Sequence, residues 1–266
     1  MQRDQSVSQP PDSVKTVLVT GSAGRIGQAV AQALMQRGHR VHGFDLHPSP
    51  HAHSDFVADL NDTRTLTTAM TGVESLVHLA ATPDDVDDPA RDLFPANITG
   101  LYHVLETARH AGVQRLVLAS SGQVNWHRNH SGPWPIGAED AVSPRSWYAA
   151  TKMFLESIGS SFAAQHGMSV IIARLGWCPR TAEQVAEISQ SQLYQDLYLS
   201  PNDAAQFFVC AAEAPLSITC ATLYATSRPV AQARYDLAPA KALIGFEPAQ
   251  QWPEGTEIVL GQRFAR

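Results

Sequence analysis

Tyr148 and Lys152 stand at i and i+4 in Tyr148-Ala-Ala-Thr-Lys152. On a helix that interval puts both side chains on one face. An ammonium beside a phenol favours the phenolate and draws the tyrosine pKa down from about 10 toward neutrality. A phenol tuned in this way can take the proton of an alcohol while its carbon is oxidised. Alone the pattern describes many ordinary helix surfaces. Its weight comes from its place in the chain, downstream of an apolar run that closes on two hydroxyls, Ser120-Ser121.

A second motif lies near the start. Thr16-Val-Leu-Val-Thr20 runs straight into Gly21-Ser-Ala-Gly24-Arg-Ile-Gly27. A strand, a glycine turn and a helix in that order make a phosphate cradle. Gly21 permits the tight turn, Gly24 admits a pyrophosphate close to the backbone, and Gly27 lets the helix pack on the strand. The helix N-terminus then faces the phosphate charge. Asp45 ends the next apolar run. A carboxylate there accepts hydrogen bonds from ribose hydroxyls and repels a 2′-phosphate, which favours NAD over NADP.

These residues need elements to hold them. Strands are expected at 16–20, 40–45, 55–58, 75–79, 115–119, 169–173 and 221–225. Helices are expected between them, at about 24–37, 62–70, 97–110, 144–166 and 203–212. Regular alternation predicts an α/β fold of the Rossmann type, a doubly wound parallel sheet covered on both faces. Two segments break the alternation: a Trp/Pro/His-rich loop at 125–144, and residues 177–201 together with the tail after Ser227. Insertions beyond the carboxyl ends of strands commonly shape the ligand crevice. The expected division is a disordered tail at 1–13, a dinucleotide-binding core at 14–176, and a small substrate-binding region at 177–266 interleaved with the last helix and strand.

Composition excludes several classes. Of 266 residues, 44% are hydrophobic and 17% charged, an ordinary globular balance. The net charge is −6 and the basic residues are scattered, which argues against a nucleic-acid partner. No apolar run approaches the roughly 20 residues that span a bilayer, and the polar first twelve residues lack a secretory signal. Cys178, Cys210 and Cys220 have no paired spacing, so the expectation is a reducing, cytoplasmic setting without a disulfide framework. His47, His51 and His53 lack regular ligand spacing, and no metal is expected.

Taken together, Thr20 to Gly27, Asp45, Asp59-Leu60, His78-Leu-Ala-Ala81, Asn97, Ser120-Ser121, Tyr148 to Lys152 and Ile244-Gly-Phe-Glu-Pro248 resemble the short-chain dehydrogenase/reductase superfamily, in its extended, epimerase-like branch. The resemblance runs from about Val14 to Pro248 and implies NAD as cofactor. It implies that Ala23, Arg25 and Ile26 join the three glycines at the phosphates, that Asp59 and Leu60 contact the adenine, and that Leu79, Ala80 and Ala81 let the cofactor pass. Asn97 belongs to the same cofactor set. Ser121 would hold the substrate oxygen, with Ser120 as the alternative one register away. Tyr148 would be the base, and Lys152 would hold the nicotinamide ribose.

Within this branch the chain is similar to bacterial uronate dehydrogenases, which oxidise the C1 hydroxyl of a cyclic hexuronate to an aldonolactone. The similar stretches are 147–156, Ala173-Arg-Leu-Gly-Trp-Cys178 and Tyr198-Leu-Ser-Pro-Asn-Asp203. The substrate half departs from that pattern. Gly122-Gln123 replaces an Asn-His pair, Thr82 stands for a serine, Trp177-Cys178 lies near a Ser-Ser pair, and Arg180 precedes the usual position of a carboxylate-clamping arginine. Thr82, Gln123, Trp177, Cys178 and Arg180 are therefore the candidate substrate contacts beside Ser120, Ser121 and Tyr148. Trp126, Trp134, Trp147, His127 and His130 crowd the loop before Tyr148 and offer faces for a sugar ring.

The expected function is NAD-dependent oxidation of a sugar, neutral or acidic, at C1. A nucleotide-sugar epimerase or dehydratase with tightly held NAD and a non-catalytic NAD-binding protein are the alternatives. The 144–166 helix carries Met153, Phe154 and Ile158, which predicts a homodimer or higher homo-oligomer.

Overall fold

A computed structural model describes residues 14–256; the expected tail at 1–13 and the last ten residues of the expected substrate region lie outside them. Seven strands form one sheet: β1 Thr16–Thr20, β2 Arg40–Asp45, β3 Ser54–Val57, β4 Ser75–His78, β5 Arg115–Ser121, β6 Ser169–Leu175 and β7 Cys220–Ala225. Their order is β3-β2-β1-β4-β5-β6-β7 and every pairing is parallel. The order reverses between β1 and β4, where a doubly wound sheet opens a crevice at its carboxyl ends.

Among the described residues, ten α-helices connect and cover the strands: α1 Arg25–Gln36, α2 Thr63–Ala69, α3 Pro89–Asp92, α4 Leu101–Ala111, α5 Trp126–Ser131, α6 Trp147–His166, α7 Ala182–Ser189, α8 Gln192–Asp196, α9 Pro201–Glu213 and α10 Ala238–Ile244. The strands alternate their side chains between two cores, as pleating requires. Val17, Val19, Val117 and Ala119 pack beneath α1 and α9 with Phe207 and Phe208. Leu18, Leu116 and Leu118 face the other way and pack beneath α2, α4 and α6 with Leu66, Leu105 and Phe162. All seven residues of β5 are buried, as expected of a central strand covered on both faces.

A smaller core joins the segments outside the alternation. Ile136, Leu197, Tyr224 and Tyr235 pack together, and Tyr235 stacks on Tyr224 with ring centroids 4.2 Å apart. Ile136 pairs with Tyr235 and Trp177 with Tyr198 as isolated bridges. Asp196 holds this region from inside: its carboxylate accepts from the Ala231 and Gln232 amides and from Arg234.

Several boundaries differ from the sequence expectation. β5 and β6 each run two residues further, so Ser120 and Ser121 belong to the sheet. The long helix starts at Trp147 rather than near 144, because Ser146 caps it by accepting the Ala149 amide. The short helices α3, α5, α7, α8 and α10 were not expected.

Candidate active site

A cavity of about 720 Å³ runs along the carboxyl ends of the strands. At one end lies the glycine turn. Gly21 has φ +72°, and a Cβ there would come within 2.7 Å of the Ala80 amide nitrogen. The turn therefore needs glycine both for its backbone angle and for its close approach to the residues after β4. A Cβ on Gly27 would collide with the Gly21 carbonyl. Gly24 caps α1 without a side chain, so the first-turn amides and the positive end of the helix dipole are presented to the cavity.

Asp45 is fixed at the same end. Its carboxylate accepts from the Ala23 amide at 3.1 Å and the His47 amide at 3.0 Å. Asp59, Leu60, Leu79, Ala80 and Ala81 continue the wall. An uncapped helix terminus for phosphate, a fixed carboxylate for ribose hydroxyls and a small-residue floor fit a dinucleotide.

At the other end, Tyr148 and Lys152 occupy the first turns of α6, and Ser121 ends β5. The Tyr148 phenol stands beside the Ser121 hydroxyl, which draws its pKa down; that hydroxyl accepts the Gln123 amide at 3.2 Å. Lys152 Nζ is buried, donates to the Ala119 carbonyl at 2.9 Å and lies 5.6 Å from the Tyr148 ring centre. Burial lowers the Lys152 pKa to about 8. The phenol does not titrate near neutrality as its spacing from Lys152 suggested. Burial first, and then the Asp84 charge, push it up to about 12, while Ser121 and Arg180 pull it back. The neighbouring His78 is held near 3 by burial and the Lys152 charge, so it stays neutral; its Nδ1 pairs with Thr20 Oγ1 at 2.8 Å.

Most of the expected site residues converge on this cavity: Gly21, Gly24, Ile26, Gly27, Asp45, Asp59, Leu60 and 79–82 toward one end, and Ser121, Gln123, Tyr148, Lys152, Trp177, Cys178 and Arg180 toward the other. Four need correction in how they act. Ser120 turns its hydroxyl away and donates to Glu156 Oε1 at 2.6 Å. Asn97 is outside the cavity wall; it brackets Thr82, accepting its amide at 2.8 Å and donating to its carbonyl at 3.1 Å. Ala23 contributes its amide to Asp45 rather than a surface to the cavity. Arg25 borders the cavity, but its guanidinium donates to the carbonyls of Pro179 and Gly255.

Of the aromatic loop, Trp126 and His130 reach the cavity. Trp134 instead packs beneath Arg234, and Trp147 is exposed against Phe94. The Cys178 thiol is buried and pushed up to about 11 by that burial, so it is not a thiolate.

Sequence reasoning missed Asp84, Tyr194, Glu187 and Tyr235, which also border the cavity. Asp84 forms an ion pair with Arg180 and accepts from Gln123 Nε2 at 3.4 Å. The acidic Asp84-Asp85 pair just past Pro83 was the available signal. Tyr235 left none, since Gly122 admits its hydroxyl only through the fold.

The family model of the NAD dependent epimerase/dehydratase family matches residues 17–177. The chain is 32% identical to an L-arabinose 1-dehydrogenase (NAD(P)(+)) of Haloferax volcanii over 220 residues, 75% of this chain and 83% of that one. It is 28% identical to a uronate dehydrogenase of Pseudomonas syringae pv. tomato over 165 residues, 60% of this chain and 58% of that one. The solved structure of a mutated uronate dehydrogenase superposes with a TM-score of 0.72 at 26% identity, covering 90% of this chain and 83% of the other. The glycine turn, the parallel sheet and this match together assign the chain to the NAD dependent epimerase/dehydratase family.

Proposed function

We propose that the protein is an NAD-dependent dehydrogenase that oxidises the C1 hydroxyl of a cyclic sugar to an aldonolactone. One observation carries the reading: Ser121, Tyr148 and Lys152 stand together in the same cavity as the glycine turn and Asp45. The relatives named as sugar dehydrogenases support it.

Ser121 and Tyr148 hold the substrate oxygen between two hydroxyls. Tyr148 takes the hydroxyl proton as the C–O bond gains double-bond character. Lys152, fixed by the Ala119 carbonyl, would hold the ribose hydroxyls of the cofactor and keeps its ammonium 5.6 Å from the Tyr148 ring centre. When bound, NAD supplies the two-electron acceptor for the hydrogen on C1. Asp45 would accept from the adenosine ribose hydroxyls and so favour NAD over NADP. Gly24, Ile26, Asp59 and Ala80, which border the cavity, would be further cofactor contacts.

The same reading assigns the core to residues 14–176 and the substrate-binding region to residues 177–266, interleaved with the last helix and strand of the core. Of Met153, Phe154 and Ile158 on α6, Phe154 is exposed and Met153 half-buried, while Ile158 packs against the core; the first two support a homodimer or higher homo-oligomer, which sedimentation tests. Among the described residues no helix is long and apolar enough to cross a membrane. The three free cysteines accord with a cytoplasmic setting.

The test is Tyr148→Phe. Loss of sugar-dependent NADH formation with NAD binding retained is the expected result. Undiminished turnover overturns the assignment.

A further inference from the structure

We propose that the Asp84–Arg180 ion pair is a charge lock that selects uncharged aldoses over sugars carrying a carboxylate. The inference rests on the dehydrogenase reading above and names the substrate class of that same site.

Arg180 is the cation a carboxylated sugar would need, and it is already engaged. Its guanidinium meets Asp84 Oδ2, and Gln123 Nε2 approaches the other carboxylate oxygen at 3.4 Å. Asp84 holds a left-handed backbone, φ +66°, the one non-glycine residue with positive φ among those described. Such a conformation persists where surrounding contacts enforce it, and it clusters at ligand sites. Residues far apart in the chain thus meet at one point beside the base.

The other cations bordering this end are held elsewhere. Arg25 is spent on the Pro179 and Gly255 carbonyls. Lys152 is tied to Ala119 beside Tyr148. Glu187 adds a second acidic side chain to the wall. A carboxylated sugar would face two carboxylates and one cation already paired. To reach Arg180 it must compete with Asp84, whose side chain is part-exposed, and bring a second carboxylate beside the first, where like charges repel. Neutral hydroxyls meet no such barrier. The Asp84 oxygens accept from them and Gln123 can donate.

The experiment measures kcat/KM with NAD for L-arabinose, D-galactose and D-xylose against D-galacturonate and D-glucuronate. The wild type is expected to favour its best neutral sugar over either uronate by at least about a hundredfold. Asp84→Asn keeps the side-chain volume and frees Arg180, so the uronate-to-neutral ratio should rise at least about tenfold. Adding Arg180→Gln to that variant should abolish the gain. The ratio is internal to each preparation, so a fraction of misfolded protein cancels. Wild-type preference for a uronate, or an unchanged ratio in Asp84→Asn, overturns the lock while the dehydrogenase reading stands. No NADH with any sugar overturns both.

Discussion

Ser120 donates its hydroxyl to Glu156 Oε1 across 2.6 Å. Strand pleating then sends the next side chain, Ser121, to the opposite side, where it meets Tyr148. The two serines are therefore distinguishable by experiment. Ser121→Ala removes a hydrogen bond to the reacting oxygen and should lower kcat by roughly a hundredfold. Ser120→Ala should lower kcat less than about tenfold and instead cost about 1–2 kcal/mol of stability. Steady-state kinetics and denaturant unfolding of both variants check the pair.

Glu156 is itself paired with Arg174, at 2.9 Å through Nε and 2.8 Å through Nη2. Both side chains are largely buried, and Arg174 also donates to the Ala138 carbonyl and the Tyr224 hydroxyl. The pair thus ties the loop after α5 to the sheet. Arg174→Met leaves Glu156 buried without its partner and should cost about 3 kcal/mol or more. Thermal unfolding should fall by roughly 6–12 °C for a domain of this size.

The pH profile follows from the phenol. Tyr148 must lose its proton to act as base, and its pKa is raised to about 12. The phenolate fraction grows as pH rises toward that value, so kcat/KM should climb from pH 6 to about 8 and rise less steeply above that, where Lys152 loses its charge. Asp84→Asn removes a negative charge that raises the phenol pKa, so its profile should shift to lower pH. A profile that falls with rising pH from 6 to 8 contradicts this assignment of the base.

Asp45 is proposed to set the choice of dinucleotide. Its carboxylate is held at the rim by the Ala23 and His47 amides, where a 2′-phosphate would meet like charge. Asp45→Ala should raise the NADP-to-NAD ratio of kcat/KM roughly tenfold or more, in keeping with the several kcal/mol such a juxtaposition costs. An unchanged ratio places the ribose elsewhere.

The motifs legible in the sequence are the local ones. Apolar runs and the Gly21–Gly27 turn depend on neighbours within a few residues, and they foretold the sheet and the dinucleotide end. The substrate end depends on contacts between distant segments. Asp84 meets Arg180, and Arg25 reaches Gly255, across stretches of chain that no periodicity connects. For that reason Arg25 looked like a phosphate contact and Asp84 drew no notice. The short helices α5, α7 and α8 are polar and brief, and their stability comes from caps such as Thr181 and Ser191 and from packing. The tuning of Tyr148 was misjudged for a related reason: spacing shows the lysine, whereas burial and the Asp84 charge emerge only in the fold.

The most direct measurement is NADH absorbance on adding a neutral aldose to the purified protein with NAD, run beside Tyr148→Phe. Steady, sugar-dependent NADH formation by the wild type and a loss of roughly 10²–10⁴-fold in the variant are the expected results. Silence from the wild type across neutral and acidic sugars, or equal rates from both proteins, would contradict the dehydrogenase reading.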